Sequence, residues 1–137
     1  MKILIAEDDS IFQIGMSDNR GWSRILTTTG DTLQERRNSE RLNIQEFFRE
    51  IIRRRPDTIS GYYSENFDWD FIDRRCDRLG IPMVDLAISL NGKDKIKRRP
   101  STLKLGAKSE HYVQTYLWGF NVMDISHPVR RAMEINS

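Results

Sequence analysis

The rhythm of apolar and polar positions changes several times along the chain. Met1–Ala6 is one short apolar run that turns acidic at Glu7, Asp8 and Asp9. Ile11–Met16 (IFQIGM) has β character, Asp18-Asn19-Arg20-Gly21 reads as a turn, and Trp22–Leu26 reads as a second strand. Together they predict a β-hairpin with a four-residue loop. Thr27–Asn38 is polar, contains Gly30, and reads as a loop. The period then becomes helical. Ile44, Phe47, Phe48, Ile51 and Ile52 fall on one helix face. Asn43 followed by Glu46 resembles a capping box at its start. Arg53, Arg54 and Arg55 suit the C-terminal dipole, and Pro56 stops the helix. The arginine triplet is expected to be a solvated helix end.

Thr58–Tyr63 follows as a short strand. After Asn66-Phe67-Asp68 comes a second helix, with Phe71, Ile72, Cys76 and Leu79 on one side and Gly80 with Pro82 as its stop. Helix, strand and helix in this order predict an α/β unit with a buried strand. Met83–Leu90 reads as a strand or an extended segment, followed by a basic loop containing Pro100. His111–Val122 has enough aromatic and β-branched residues for one or two strands. Ile125–Ile135 reads as a helix with Val129, Ala132 and Met133 on its apolar side. There is no internal repeat and no low-complexity tract.

Length and composition narrow the classes. At 137 residues the chain is one domain or part of a larger one. Hydrophobic residues at 38% and charged residues at 31% are ordinary for a soluble fold. No apolar run approaches the ~18 residues of a membrane-spanning helix, and the acidic turn after Ala6 is no secretory signal, so no membrane partner is expected. Cys76 alone excludes a disulfide scaffold or a cysteine-based zinc site, and only His111 and His127 could supply imidazole ligands. A net charge of 22 − 20 = +2 is too small to argue for nucleic acid by itself. Its distribution is uneven, because Lys93, Lys95, Lys97, Arg98, Arg99, Lys104 and Lys108 stand against Asp94 alone over residues 91–108.

Two families offer themselves. MKILIAEDDS resembles the opening of a response-regulator receiver domain, and Arg55-Pro56-Asp57 resembles the pair preceding that fold's third strand. A receiver needs an aspartate nucleophile at the end of that strand, where this chain has Gly61, Tyr62 and Tyr63. It also needs a long helix after the acidic cluster, where IFQIGM and a turn stand instead. A receiver-like signalling domain is therefore set aside. Residues 61–72, GYYSENFDWDFI, are more specific. A strand ending in Gly-Tyr, a short loop and Asn66-Phe67-Asp68 opening a helix resemble the second exonuclease motif of B-family DNA polymerases, in contracted form. The preceding hairpin and helix, the run RRPDTISGYY, and the tail WGFNVMDISHPVRRAMEINS, where a strand ends at Asp124 and a helix begins, follow the family's order over roughly residues 10–137. The wording of the tail is nearest the large-phage and viral type.

The resemblance implies an α/β fold of the ribonuclease-H-like class, a mixed sheet with flanking helices. It implies 3′→5′ removal of nucleotides from a DNA 3′ end by two divalent ions, Mg²⁺ or Mn²⁺, which prefer carboxylate oxygens. It assigns Asp68 to the metal site, with Asn66 orienting the loop or contacting DNA and Phe67 packing beneath it. The alternative for Asp68 is a plain helix N-cap. The family's first motif is Asp-x-Glu on the first strand, and Ile5-Ala6-Glu7 offers only Glu7 as a second catalytic and metal-ligating candidate. An equally open alignment puts Ala6–Ser10 in a linker. The third motif, Tyr-x-x-x-Asp, is not supplied by Tyr112–Tyr116. The expectation is a partial exonuclease domain over residues 1–137, inactive or nearly so alone, whose partners are a DNA 3′ end and the remainder of a polymerase. The expected setting is the cytoplasm of a prokaryotic or phage-infected cell. A catalytically dead, DNA-binding ribonuclease-H-like module is the alternative.

Other residues carry weaker expectations. Lys97, Arg98 and Arg99 in the basic segment are candidate phosphate contacts, against a solvated loop. Tyr63 and Trp69 flank the motif and could stack on unpaired bases, whereas Tyr62 and Trp118 are expected in the core. His127, Arg130 and Arg131 are expected on a surface helix, with no acid–base role for His127. Cys76 is expected to be buried and inert.

Overall fold

A computed structural model describes residues 1–7, 12–62, 64–83, 86, 96–117 and 119–136. Three strands form an antiparallel meander: β1 (Lys2–Glu7), β2 (Phe12–Ser17) and β3 (Ser23–Thr27). β2 and β3 are the expected hairpin. Its turn is fixed by Asp18, whose Oδ1 accepts the N–H groups of Arg20 and Trp22 at 2.9 and 3.0 Å. Gly21 there has φ 92°, a left-handed conformation that costs a residue with a Cβ.

Helix α1 (Leu33–Arg54) is eleven residues longer at its start than the apolar period indicates. The capping box belongs to Thr32 and Glu35, not to Asn43 and Glu46. The Thr32 Oγ1 accepts the Glu35 N–H at 3.1 Å, and the Glu35 carboxylate accepts the Asp31 and Thr32 N–H groups. The predicted loop over Thr27–Asn38 thus ends at Thr32, and residues 33–43 are helical although that stretch has little apolar face to show. Leu33 and Leu42 are exposed, and Glu40 is buried only through its bidentate pair with Arg75 of the second helix. Thr32→Ala is expected to destabilise the protein by about 1 kcal/mol, measured as a lower urea midpoint with unchanged slope.

The apolar face of α1 is as expected: Ile44, Phe47, Phe48 and Ile51 are buried, and Ile52 is partly so. Its C-terminus is more tied down than a solvated end. Arg53 pairs with Glu46 and Glu50, and Arg54 pairs with Glu50 while its guanidinium lies 3.4 Å over the Trp22 ring. Burial alone would raise Glu50, but bonds from Arg24 and Arg54 and the charge of Arg53 outweigh it and hold its carboxyl below the usual range.

β4 (Thr58–Gly61) runs parallel to β1, and α2 (Asp68–Arg78) follows. β5 (Ile96–Leu105) and β6 (Lys108–Leu117) form a separate two-stranded antiparallel ribbon, then come β7 (Asn121–Asp124) and α3 (Ser126–Asn136). β7 lies parallel to β4, completing a five-stranded sheet of order β3-β2-β1-β4-β7. The sheet is thus mixed, and of the possible linker Ala6–Ser10 the first two residues belong to the central strand β1, while 8–10 lie outside the described residues. One face, carrying Ile3, Ile5, Ile14, Met16, Leu26, Ile59 and Val122, packs against α1 and α2 in a single core. Complete burial of side chains such as Ile14, Ile59 and Phe47 supplies roughly 1.5–3 kcal/mol each.

Three expectations change. The basic loop is in its second half the strand β5, paired from Ile96↔Leu117 to Leu105↔Lys108 and closed by the two residues Gly106-Ala107. Charged positions on a ribbon open to solvent hide the alternation that a half-buried strand would show. The first part, residues 91–95, lies outside the described residues. At Met83–Leu90 the described positions are helical rather than extended, since the Leu86 N–H bonds the Pro82 carbonyl at 3.4 Å. Finally, the apolar side of α3 faces outward, with Val129 39% and Met133 67% exposed. α3 is instead held by its polar residues. The His127 ring meets Tyr112 edge-on at 4.6 Å, and Arg130 pairs with Glu110.

Candidate active site

Because β1, β4 and β7 are mutually parallel, their C-terminal ends lie along one edge of the sheet. Open parallel strands of this kind present ligand sites beyond their carboxyl ends. At that edge stand Glu7, Gly61 and Asp124, and the segment after Gly61 leads into α2, whose first residue is Asp68. Gly61 has to be glycine, because an added Cβ would stand 2.7 Å from the Ser64 Cβ. That close approach folds residues 64–67 back over the strand end, where the Trp69 N–H bonds the Ser64 carbonyl at 2.8 Å.

Asp68 is 2% exposed. It is not an N-cap: the cap position of α2 is Phe67, which makes no side-chain capping bond. The Asp68 carboxylate turns instead toward β1 and accepts the Ile5 N–H. Burial, with a smaller push from the charge of Asp124, raises its pKa to about 7 against the bond from Ile5. The side chain thus has no cation to compensate it among the groups that perturb it. Glu7, two residues on from Ile5, ends β1, and its side chain lies outside the described set.

Two further buried acids surround this point. Asp124 receives the Glu65 N–H at 3.2 Å on Oδ2, and the Ser126 N–H and Oγ–H at 2.9 and 2.6 Å on Oδ1. Glu65 is 1% exposed, and its Oε2 accepts the Thr115 N–H of β6 while Oε1 has no partner within the described residues. Its pKa is raised by burial and by Asp124, against the bonds from Thr115 and the charge of Arg98. His127 lies 3.6 Å from Asp124, but burial holds its pKa below the ordinary value, which leaves it neutral at pH 7. It is 7% exposed, not a surface residue.

The remaining sequence-derived candidates separate. Asn66 and Phe67 are exposed on the rim, with Phe67 stacked on Phe71 at 6.2 Å. Lys97 and Arg99 are exposed on the ribbon. Arg98 points the other way: its side chain is 10% exposed and spans Asp70 (3.2 Å), Asp73 (3.6 Å), the Glu65 carbonyl (3.0 Å) and the Thr115 hydroxyl (3.2 Å). It clamps the ribbon to the Asp68 loop. Trp69 is wholly buried, and Tyr62, expected in the core, is 57% exposed. Tyr63 and Trp118 lie outside the described residues. Cys76 is buried as expected, and burial pushes its thiol up to about 12. A larger cleft, about 730 Å³, opens at the opposite ends of β1 and β4 around Met1, Thr58 and Arg55, and none of the candidate residues lines it.

The family model for the exonuclease domain of DNA polymerase family B matches residues 16–137. The chain belongs to that family. The fold is accordingly that of a ribonuclease-H-like exonuclease domain, and the match takes in the Asn66-Phe67-Asp68 motif, the ribbon and the Asp124 corner. No curated protein matches the chain. The family generally uses divalent metals, so the donor set of this B-family exonuclease domain bears on its chemistry. Asp68 and Asp124 approach each other closely enough to interact, but Asp124 has its oxygens engaged by backbone and hydroxyl donors. No group of three His, Cys, Asp or Glu suited to a metal forms among the described residues. These residues alone do not fit a two-metal centre.

The sequence reading missed Glu65, and it noted Asp124 without a role. The signal for Glu65 was available only as an acid directly preceding the motif. Its partners lie 50 and 59 residues away in the chain, and no local pattern joins them.

Proposed function

We propose that this domain is the 3′→5′ proofreading exonuclease region of a B-family DNA polymerase, and that Asp68 is its metal-ligating carboxylate. The observation that carries the reading is the burial of Asp68 against Ile5, with no compensating cation among the described residues that perturb it, at the edge where β1, β4 and β7 end. A carboxylate held at such cost marks a functional site more often than a structural one. Glu7, at the end of β1, is the second proposed ligand. In the intact polymerase the hydrolysis would draw on Mg²⁺ or Mn²⁺, with ligands beyond Asp68 and Glu7. Asn66 and Phe67, exposed beside the motif, are the proposed contacts for an entering DNA 3′ end, Tyr63 is a further candidate by its place in the sequence, and Lys97 and Arg99 are the proposed phosphate contacts. Arg98 is better read as a positioning residue, because its donors are already engaged. The partners are the DNA 3′ end and the remainder of the polymerase chain, in a cytoplasm where DNA is replicated. Among the described residues no helix is long and apolar enough to cross a membrane.

The isolated chain is expected not to shorten a 5′-labelled single-stranded oligonucleotide in Mg²⁺ or Mn²⁺, and neither ion is expected to raise its melting temperature. Metal-dependent shortening that Asp68→Ala abolishes would overturn this inactivity. The wider reading is tested by sequencing the DNA on both sides of the reading frame. Since β1 already holds the central position of the sheet, polymerase motifs downstream are the expected result. Stop codons on both sides would favour the alternative, a module that binds DNA without cutting it, to which the engagement of Asp124 already lends support.

A further inference from the structure

The cleft of about 730 Å³ lies where β1 and β4 begin, at the far end of the sheet from the carboxylates. Its floor is a closed charge network. Glu50, 3% exposed, is held by Arg24, Arg53 and Arg54, and Arg54 also reaches Asp18 at 3.7 Å. Three exposed cations stand round that floor, each from a different element: Lys2 at the start of β1, Arg20 in the β2–β3 turn and Arg55 at the end of α1. None of the three forms an ion pair among the described residues, and Arg20 only feels the charge of Asp18. Asp57 is the one lining acid likewise without an ion pair among the described residues. Arg55 carries the strongest signal. It caps α1 in the left-handed conformation, with φ 42° and ψ 58°, and no other non-glycine residue among those described has a positive φ. Pro56 bars it from continuing the helix, and glycine is the residue that takes up this conformation without a steric penalty. The fold uses only its backbone N–H, which bonds the Ile51 carbonyl. An arginine strained in this way on the wall of a cleft directs attention to its side chain.

We propose that this cleft binds a compact polyanion, a chain of two or more phosphoryl groups, with Arg55, Arg20 and Lys2 as its donors. Two features select this ligand. Three cations on one cleft call for more than a single negative charge, and guanidinium forks match phosphoryl oxygens in pairs. Trp22 is the one aromatic residue in the described lining, and the Arg54 guanidinium, 3.4 Å above its ring, already occupies that face. No free platform is left for a base, so recognition rests on the phosphates alone, whether these are free or form the tail of a nucleotide. An acidic peptide carries single carboxylates on flexible stems and matches the forks less closely. The site stands at the opposite end of β1 from Glu7, and binding there depends on neither hydrolysis nor metal.

The test is isothermal titration calorimetry of the chain with sodium tripolyphosphate in metal-free buffer. A dissociation constant below about 1 mM is expected, with orthophosphate at least about tenfold weaker and ATP within about threefold of tripolyphosphate. Arg55→Gly is expected to weaken binding at least about tenfold without lowering the melting temperature, since glycine relieves the left-handed strain. Lys2→Gln with Arg20→Gln is expected to weaken it by a similar factor, and Asp57→Asn to tighten it about threefold by removing a like charge. Arg36→Gln with Arg37→Gln removes two exposed cations elsewhere on α1 and is expected to leave binding unaltered. Absence of binding, equal weakening by the α1 control, or unchanged binding by Arg55→Gly would each overturn the proposal. So would a lower melting temperature for Arg55→Gly, which would mean that the fold itself uses the side chain. ATP binding at least about tenfold tighter than tripolyphosphate would show that a base is recognised, and preference for polyglutamate would show an acidic peptide site, and either result overturns it as well. Every arm is read without cleavage and without metal, so a failed exonuclease reading leaves these results untouched, and a failed cleft leaves the cleavage assay untouched.

Discussion

At pH 8, Asp68→Asn is expected to make the protein more stable by roughly 2–4 kcal/mol, and at pH 4 to leave it nearly unchanged. The sign follows from the two pKa values. In the unfolded chain the carboxyl titrates near its model value of 3.8, and in the folded protein burial lifts it to about 7. Between those values the folded state holds a proton that the unfolded state has released. Stability is therefore fullest below the lower value and falls by about 1.4 kcal/mol per pH unit up to the higher one, then levels off. The whole loss is about 4 kcal/mol, of which an uncharged isostere recovers most. Asparagine keeps an oxygen for the Ile5 N–H, so no backbone donor is orphaned. Asp68→Ala would lose that acceptor and is the poorer probe. Urea unfolding at pH 4, 6 and 8 measures the effect. Destabilisation by Asp68→Asn at pH 8 would mean that the carboxylate is ionised and held by a charge partner, and the case for a site poised to receive a cation would fail. A natural chain that keeps an acid at this cost is trading stability for something the fold does not need.

The same carboxylate shows what a sequence can and cannot convey. Asp68 was legible because its neighbours in the chain are its context: Gly61 permits the close return, and the helix starts at the motif itself. The β2–β3 hairpin and the apolar face of α1 were legible for the same reason, since turn chemistry and a 3.6-residue period are local. The polar half of α1 was not, because what holds Glu40 in place is Arg75 on another helix. The ribbon was not, because its buried positions, Leu103, Leu105, Thr115 and Leu117, are too few among charged and polar ones to show a strand's alternation. Arg98 is the sharpest case. In the sequence it is the middle of a basic triplet, equivalent to Lys97 and Arg99. Strand alternation turns it alone toward α2, where it meets Asp70, Asp73 and the Glu65 carbonyl. A charge count assigns all three to a ligand, and the period of two divides them.

Trp69→Ala is expected to have the largest cost of any single change, about 3–5 kcal/mol, with a fall in melting temperature on the order of 10 °C or more. Trp69 is fully buried at the first turn of α2, tilted against Phe47 of α1 with ring centroids 6.1 Å apart. Truncation opens a cavity between the two helices that α1, fixed by Ile44, Phe48 and Ile51 in the same cluster, is poorly placed to collapse into. Trp69→Phe separates packing from polarity. The indole Nε1 has no hydrogen-bond partner among the described residues, so phenylalanine removes an unsatisfied donor while keeping most of the ring contact. Its cost is expected to be less than half that of alanine. Since Asp68 immediately precedes Trp69, the ring is also what fixes the carboxylate against Ile5. Loss of the ring should release that acid, so the pH dependence described for Asp68 should flatten in Trp69→Ala and persist in Trp69→Phe. A cost below about 1 kcal/mol for alanine would mean that the ring is not seated in the core. Trp69 would then be available for the stacking role that its position beside the motif first suggests.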